Sequence, residues 1–294
     1  MNWYKAATKT AVSVTPEEFG AMDWNEKRAL AENRGITPAT QRLFFTEKYA
    51  EKRGDEYGVL WSLAGNSSIT PETQRLLITE KYEEKDNVLW RLAKNESISH
   101  QTQLMFFTEE YEEKGTILGY LAHNPSIHPE VQPLFFTEDY GDKHEALRHL
   151  ALNPKITQET QRLFFTEKYE YKGWVLYWLA KNSSIDPEVQ PLFFAEPYKS
   201  PFDTSQLCSL ARSPSIAPET QRLFLTEEYE NKGKVLENLA ENPSFLRGNF
   251  TTAQWHSIKN AARGSMRLLI LSKRLEQIQK VAADIIRGKL KGGL

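Results

Sequence analysis

The phrase Leu-Ala-x-Asn recurs at Leu30, Leu63, Leu92, Leu121, Leu150, Leu179, Leu210 and Leu239, and five of the seven intervals are 29 residues. The seventh copy, Leu210-Ala211-Arg212-Ser213, carries Ser in place of Asn. The first interval is 33 because residues 53–56 are an insertion, and the sixth is 31, across the irregular stretch 197–205. This period constrains the fold more than any other feature. A 29-residue unit is too small to bury an apolar face by itself, so neighbouring units must stack and share a core.

One unit is legible from Leu63. Leu63-Ala64-Gly65-Asn66 ends a helix and Ser67-Ser68-Ile69 turns the chain. Thr70 is placed as an N-cap, its hydroxyl accepting from an otherwise unpaired N–H, and Pro71 suits the first helical position. This first helix, A, runs on to Tyr82, and Glu84-Lys85-Asp86 breaks it. The second helix, B, starts at Val88-Leu89-Trp90-Arg91. The cap slot holds Thr37, Thr70, Ser99, His128, Thr157, Asp186 and Ala217, five of which are good caps. Asn-Pro at Asn124, Asn153 and Asn242 stops a helix, because a residue before Pro is pushed out of the α region. Gly115, Gly173 and Gly233 mark the other turn. The spacing predicts a helix A of about three turns and a helix B of about two. Pro133 and Pro191 lie a turn into helix A, so either the helix begins there or its first turn is loose.

These readings give an all-α chain, an α-solenoid of about seven 29-residue two-helix repeats with terminal capping helices. Residues 1–29 form a shortened N-terminal cap, 30–245 the repeats, and 246–294 a basic C-terminal helical cap or tail. The phrase Leu-Ala-x-Asn-Pro-Ser-Ile-x-Pro-Glu-Val-Gln, at residues 121–132, resembles the variant leucine-rich repeat family of bacterial α-solenoids, and the cadence covers about residues 26–245. The resemblance implies a right-handed solenoid and no activity. That family's unit is shorter, with α-helices alternating with 3₁₀ helices, and the iron–sulfur module of one member needs several cysteines. HEAT-like helical pairs are the nearest other comparison, by architecture.

Cys208 is the one cysteine, so a disulfide framework, a zinc cluster and a CxxC redox pair are excluded within one chain. The first residues lack the continuous apolar stretch of a secretory signal, and the apolar run 268–271 is too short to span a membrane. A cytoplasmic location is expected. No phosphate-binding glycine loop, GxSxG elbow or HExxH motif occurs, and no catalytic residue or cofactor is assigned. Four of the six histidines, His123, His128, His144 and His149, fall in or beside the fourth unit, but the two i, i+5 pairs are poor metal spacing and no metal site is assigned. His128-Pro129-Glu130 lacks the Pro-Cys-x-x-Cys partner of a deaminase.

Some slots hold the same residue in every unit: Gln (Gln41, Gln74 and onward), Glu (Glu47, Glu80 and onward) and Tyr (Tyr49, Tyr82 and onward). Such constancy is expected of side chains that satisfy backbone groups in turns and between units. Variable slots are better candidates for recognition. On helix B, Val88, Leu89, Leu92 and Ala93 make one apolar face, with Trp90 and Arg91 on its flanks and Lys94 pointing away. Stacking lines up Trp61, Trp90, Arg91, Tyr120 and His123, then Arg148, His149, Tyr177, Trp178 and Lys181. The strip either grips an extended peptide or a nucleic-acid strand, or fills gaps between units.

Residues 246–294 carry ten Lys/Arg against two Asp/Glu, a balance of +8, which leaves −10 on the rest of a chain of net charge −2. Leu268, Leu271, Leu275, Ile278, Ala282 and Ile285 follow a 3-4 spacing there. Arg267, Lys273, Arg274, Lys280, Arg287, Lys289 and Lys291 decorate that helix. It docks over the last unit as a cap, or serves self-association, an anionic partner or a membrane surface, the last being the least expected. The expected function is a non-catalytic scaffold for a protein or peptide partner, because a balance of −10 disfavours phosphate binding. The alternatives are a nucleic-acid-binding or DNA-modifying solenoid that uses the tail, and a self-assembling structural protein. The sequence leaves the oligomeric state open.

Overall fold

The computed structural model describes residues 11–46, 56–82, 84–195, 203–242 and 244. These residues are all-helical, with fifteen α-helices and, apart from an isolated bridge between Val12 and Ile36, no β-structure. After α1 (Pro16–Ala21), the helices that end in Leu-Ala-x-Asn are α2 (Trp24–Glu32), α4 (Glu56–Gly65), α6 (Lys85–Ala93), α8 (Lys114–His123), α10 (Lys143–Leu152), α12 (Lys172–Ala180), α13 (Asp203–Arg212) and α15 (Lys232–Glu241). Between them lie the first helices of each period: α3 (Pro38–Leu43), α5 (Pro71–Thr79), α7 (His100–Thr108), α9 (Leu134–Thr137), α11 (Gln158–Thr166) and α14 (Pro218–Thr226). The sixth period has a 3₁₀ helix, Gln190–Phe194, in that place.

The chain divides into two bodies, Met1–Leu163 with Glu167–Glu170, and Phe164–Thr166 with Tyr171–Leu294. In the first body α2, α4, α6, α8 and α10 pack one on the next in chain order, and α3, α5 and α7 follow each other beside them. In the second body α12 packs on α13 and α13 on α15, with α14 and the 3₁₀ helix alongside. The apolar face predicted for helix B is the core: Val88, Leu89, Leu92 and Ala93 are fully buried, as are Ala146, Leu147, Leu150 and Ala151. Fully buried phenylalanines come from α7, α9, α11 and α14, at Phe106, Phe135, Phe164 and Phe224, and from Phe44, the C-cap of α3.

The caps follow the sequence. Thr37, Thr70, Ser99 and Thr157 accept the N–H three residues on. Asp186 and His128 accept from the residue two on, and Ala217 provides no side-chain cap. The two prolines split the alternatives. Past Pro133 the first helix is cut to α9, while Pro191 sits inside the 3₁₀ helix, since neither ring can donate the N–H an α-turn there needs.

Three boundary expectations are corrected. In the second period helix B begins at Lys85, not Val88, so that period's two helices are of equal length, nine residues each. Gly115 and Gly233 do not form the turn but lie second inside α8 and α15. The left-handed backbone falls on the preceding cap instead, at Glu84, Asp142, Tyr171 and Asn231, with φ of 52–53°. Such a conformation is costly for a residue with a Cβ, so the surroundings must impose it. Two side chains hold each turn to the end of helix A, and they do so also before α8, where the cap Glu113 has φ −88° and is not left-handed. The Tyr hydroxyl donates to the carbonyl five residues back, as Tyr111 to Phe106 at 2.6 Å and Tyr140 to Phe135 at 2.9 Å. The Lys that opens helix B donates to the end of helix A, as Lys143 to Phe136 at 2.6 Å and Lys232 to Glu227 at 2.7 Å.

The constant Gln is a bridge between periods. Gln74 Nε2 donates to Ile69 O in its own period and Ser97 O in the next, while its Oε1 accepts from Ser99 N–H. Gln41, Gln103 and Gln190 also donate ahead and accept the same N–H of the following cap residue. The Asn of Leu-Ala-x-Asn reaches the other way. Asn124 Nδ2 donates to Ala93 O at 2.7 Å and Asn95 O at 3.0 Å, and its Oδ1 accepts from Ser126 N–H at 2.8 Å. Asn66, Asn95, Asn153 and Asn242 do the same to their predecessors. Each Asn thus satisfies carbonyls that the end of the previous helix B leaves without an intrahelical partner.

Candidate functional site

In the first body the flanks of consecutive second helices carry two groups of touching aromatic and cationic side chains, one on α4 and α6 and one on α6, α8 and α10. Each sits where the period puts it, just before Leu-Ala, on the arc of helix B beside the buried face. On α4 and α6, the Arg91 guanidinium lies 4.4 Å over the Trp61 ring. Arg91 Nε is buried without a hydrogen-bond partner among the described residues, so that contact is a cation–π one. A Cβ at Gly65 would come within 2.5 Å of Arg91 Nε, and the absence of a side chain there makes room for the guanidinium.

The second group corrects the expectation for Lys94. Its ammonium does not point away but folds back, 4.1 Å over Trp90 and 4.3 Å over Tyr120. Trp90 and Tyr120 meet edge to face at 5.2 Å, across α6 and α8. His149 on α10 then lies 6.5 Å from Tyr120 and 5.8 Å from His123. Arg148 Nη2 is 2.9 Å from His149 Nε2, and Arg148 Nε donates to Glu145 at 2.8 Å. Burial, the Arg148 charge and His123 push His149 down to about 4, so its ring is neutral at pH 7.

The strip thus fills gaps between units and also keeps a face to solvent. Trp61, Trp90, Arg91, Tyr120, Arg148 and His149 are half-buried, packed between successive helices on one side and wet on the other, while His123 and Lys94 are exposed. In the second body α12 has a cluster of its own. Lys181 lies 4.5 Å over both Tyr177 and Trp178, and Trp174, which sequence spacing did not single out, meets Trp178 edge on at 6.1 Å. The tail residues Arg267, Lys273, Arg274, Lys280, Arg287, Lys289 and Lys291 lie outside the described residues.

The histidines pair differently from their sequence spacing. His123 meets His149, and His128 stacks on His100, which the clustering in the fourth unit had left out. His100, His128 and Glu130 together have the donor spacing of a metal site. Cys208 is half-buried on α13, and burial pushes its thiol up, so it is uncharged at neutral pH. No helix among the described residues is long and apolar enough to cross a membrane. No protein-family model matches the chain, and neither a curated protein nor a solved structure is similar to it.

Proposed function

We propose that the chain is a right-handed α-solenoid of about seven repeats, akin to the variant leucine-rich repeats, and that it is a non-catalytic scaffold whose strip on α4, α6, α8 and α10 grips an extended segment of a protein partner. The observation that carries this reading is the Trp61–Arg91 pair together with the series Trp90, Lys94, Tyr120 and His149, in which every side chain is anchored by a neighbour and keeps an open face. Rigid aromatic and Arg side chains are the types that dominate binding energy at protein interfaces. Their being held in place beforehand lowers the ordering cost of association. Helices packed ~8–10 Å apart match about every third residue of a strand rising ~3.3 Å per residue.

The charge of the strip sets the partner's chemistry. Arg91, Lys94 and Arg148 make it locally cationic, while the repeats as a whole are acidic. A short aromatic segment with one or two acidic residues complements the local cations, while the dense charge of a polyphosphate backbone is repelled by the wider acidic field. The test is a display library of random fifteen-residue peptides selected on the full chain. Selected peptides should carry aromatic or acidic residues at a spacing of about three. Lys94→Glu should weaken them by roughly tenfold, about 1.4 kcal/mol, without lowering the melting temperature. Trp90→Ala should weaken them further. Peptides that bind both variants as tightly as the unmodified chain would show that the strip is not the contact surface.

A further inference from the structure

His100 opens α7 and His128 occupies the cap position of the following period, with Glu130 two residues on. The two imidazoles stack with centroids 3.8 Å apart and planes 22° from parallel. His100 Nε2 is buried and makes no hydrogen bond among the described residues, and the nearest charge to it is Glu130 Oε2 at 3.4 Å. His128 Nδ1 accepts a long bond from the backbone N–H of Glu130, 3.3 Å. One donor atom from each of the three residues lies within 4.8 Å of the other two. When His100 Nε2 carries no proton, its lone pair faces a carboxylate lone pair, and a cation is what such a gap accommodates.

The fold does not require the two histidines. The position of His100 holds Pro71 and Gln158 in other periods and that of His128 holds Ser99 and Thr157, while that of Glu130 holds Glu also at Glu72, Glu159, Glu188 and Glu219. Two histidines at positions where the stack accepts Pro, Ser, Thr or Gln, set beside the carboxylate that the repeat usually carries, therefore ask for another reason. We propose that His100, His128 and Glu130 bind one divalent transition-metal ion of the Zn²⁺ class, which ties the start of α7 to the turn that opens the next period. Imidazole and carboxylate are the ligand types for such an ion, and three protein donors leave a coordination position open to water. The carboxylate is essential, because the N-terminus of α7 carries partial positive charge and two neutral rings offer nothing against it. A bound ion takes over the His128 lone pair that now accepts the long bond from Glu130 N–H, a backbone group already at the surface.

The experiment uses the full chain, stripped by chelator and dialysed, then titrated with ZnCl₂ by calorimetry and with CoCl₂ by visible absorption. One ion per chain should bind saturably, the Co²⁺ form should show ligand-field bands, and the melting temperature should climb with Zn²⁺ concentration. The variant His100→Gln with His128→Thr, built from residues that other periods carry, should keep the helical circular dichroism and weaken binding by roughly a hundredfold. Glu130→Gln should also weaken it. A chain that takes up no ion saturably would overturn the proposal. So would a folded double variant that binds as well as the unmodified chain, which would place the ion elsewhere, as at His123 and His149.

Discussion

The amide of Asn124 is used completely. Both carbonyls it reaches, Ala93 O and Asn95 O, belong to the end of the preceding helix B, and the residue is 2% exposed. Asn124→Ala leaves those carbonyls and Ser126 N–H without their partner, which should cost roughly 2–4 kcal/mol, read from the urea midpoint at constant slope. Ser213 shows which half of the job a shorter side chain retains. Its hydroxyl accepts Ser215 N–H at 3.4 Å and meets Ser215 Oγ at 3.0 Å, which keeps the local turn. Asn124→Ser should therefore fall between Asn and Ala. Asn124→Asp should be worse than Ala, because a buried carboxylate would face two carbonyl oxygens. If Ala were neutral, the reach-back to the previous helix would contribute nothing, and the constancy of Asn would need another cause.

At the scale of the helix pair, two glycines in one slot behave oppositely. A Cβ on Gly115 would lie 2.0 Å from Gly141 O in the next period, whereas a Cβ on Gly233 meets nothing within 4 Å. Gly115→Ala should destabilise by about 1–3 kcal/mol, since a backbone carbonyl cannot swing aside, while Gly233→Ala should stabilise by about 0.5–1 kcal/mol through helix propensity. Thermal melts of the two variants should move in opposite directions. This slot also shows what the sequence conceals. The helices, their apolar faces and four of the caps were readable, because they depend on periodicity and on local hydrogen bonds within a few residues. The role of Gly115 was not, because the atom it must avoid is 26 residues away. Asn read as a helix stop for the same reason, its real partners being 29 and 31 residues back. In the strip, spacing placed Trp90 and Arg91 on the flanks of helix B correctly. It could not foresee that Lys94 would fold back over Trp90 and Tyr120, since a long flexible side chain is directed by its neighbours and not by its helical angle. The pairing of His100 with His128 was hidden by their 28-residue separation.

For the whole chain, the solenoid reading makes a demand that a globule with one irreplaceable core does not. If every period leans only on its neighbours, one period can be cut out and the two beside it should close the gap. Removing residues 92–120 takes out one full 29-residue period and joins Arg91 to Leu121, so that α6 is completed by the end of α8. Asn124 then stands at the same distance along the chain from Ala64 and Asn66 as Asn95 does now, and its amide should take over the bonds of 2.8 and 3.0 Å that Asn95 makes to their carbonyls. The shortened chain should fold with unchanged helicity per residue. Its urea slope should fall by about a tenth, in step with the length removed. Removing 94–120 instead leaves two extra residues in the joined helix and turns everything after the junction by about 200°, which sets Leu121 and Ala122 on the wrong face. That chain should lose its cooperative transition. Should both deletions fold alike, register would not govern the packing; should neither fold, the periods would not be interchangeable and the stack would not be a solenoid.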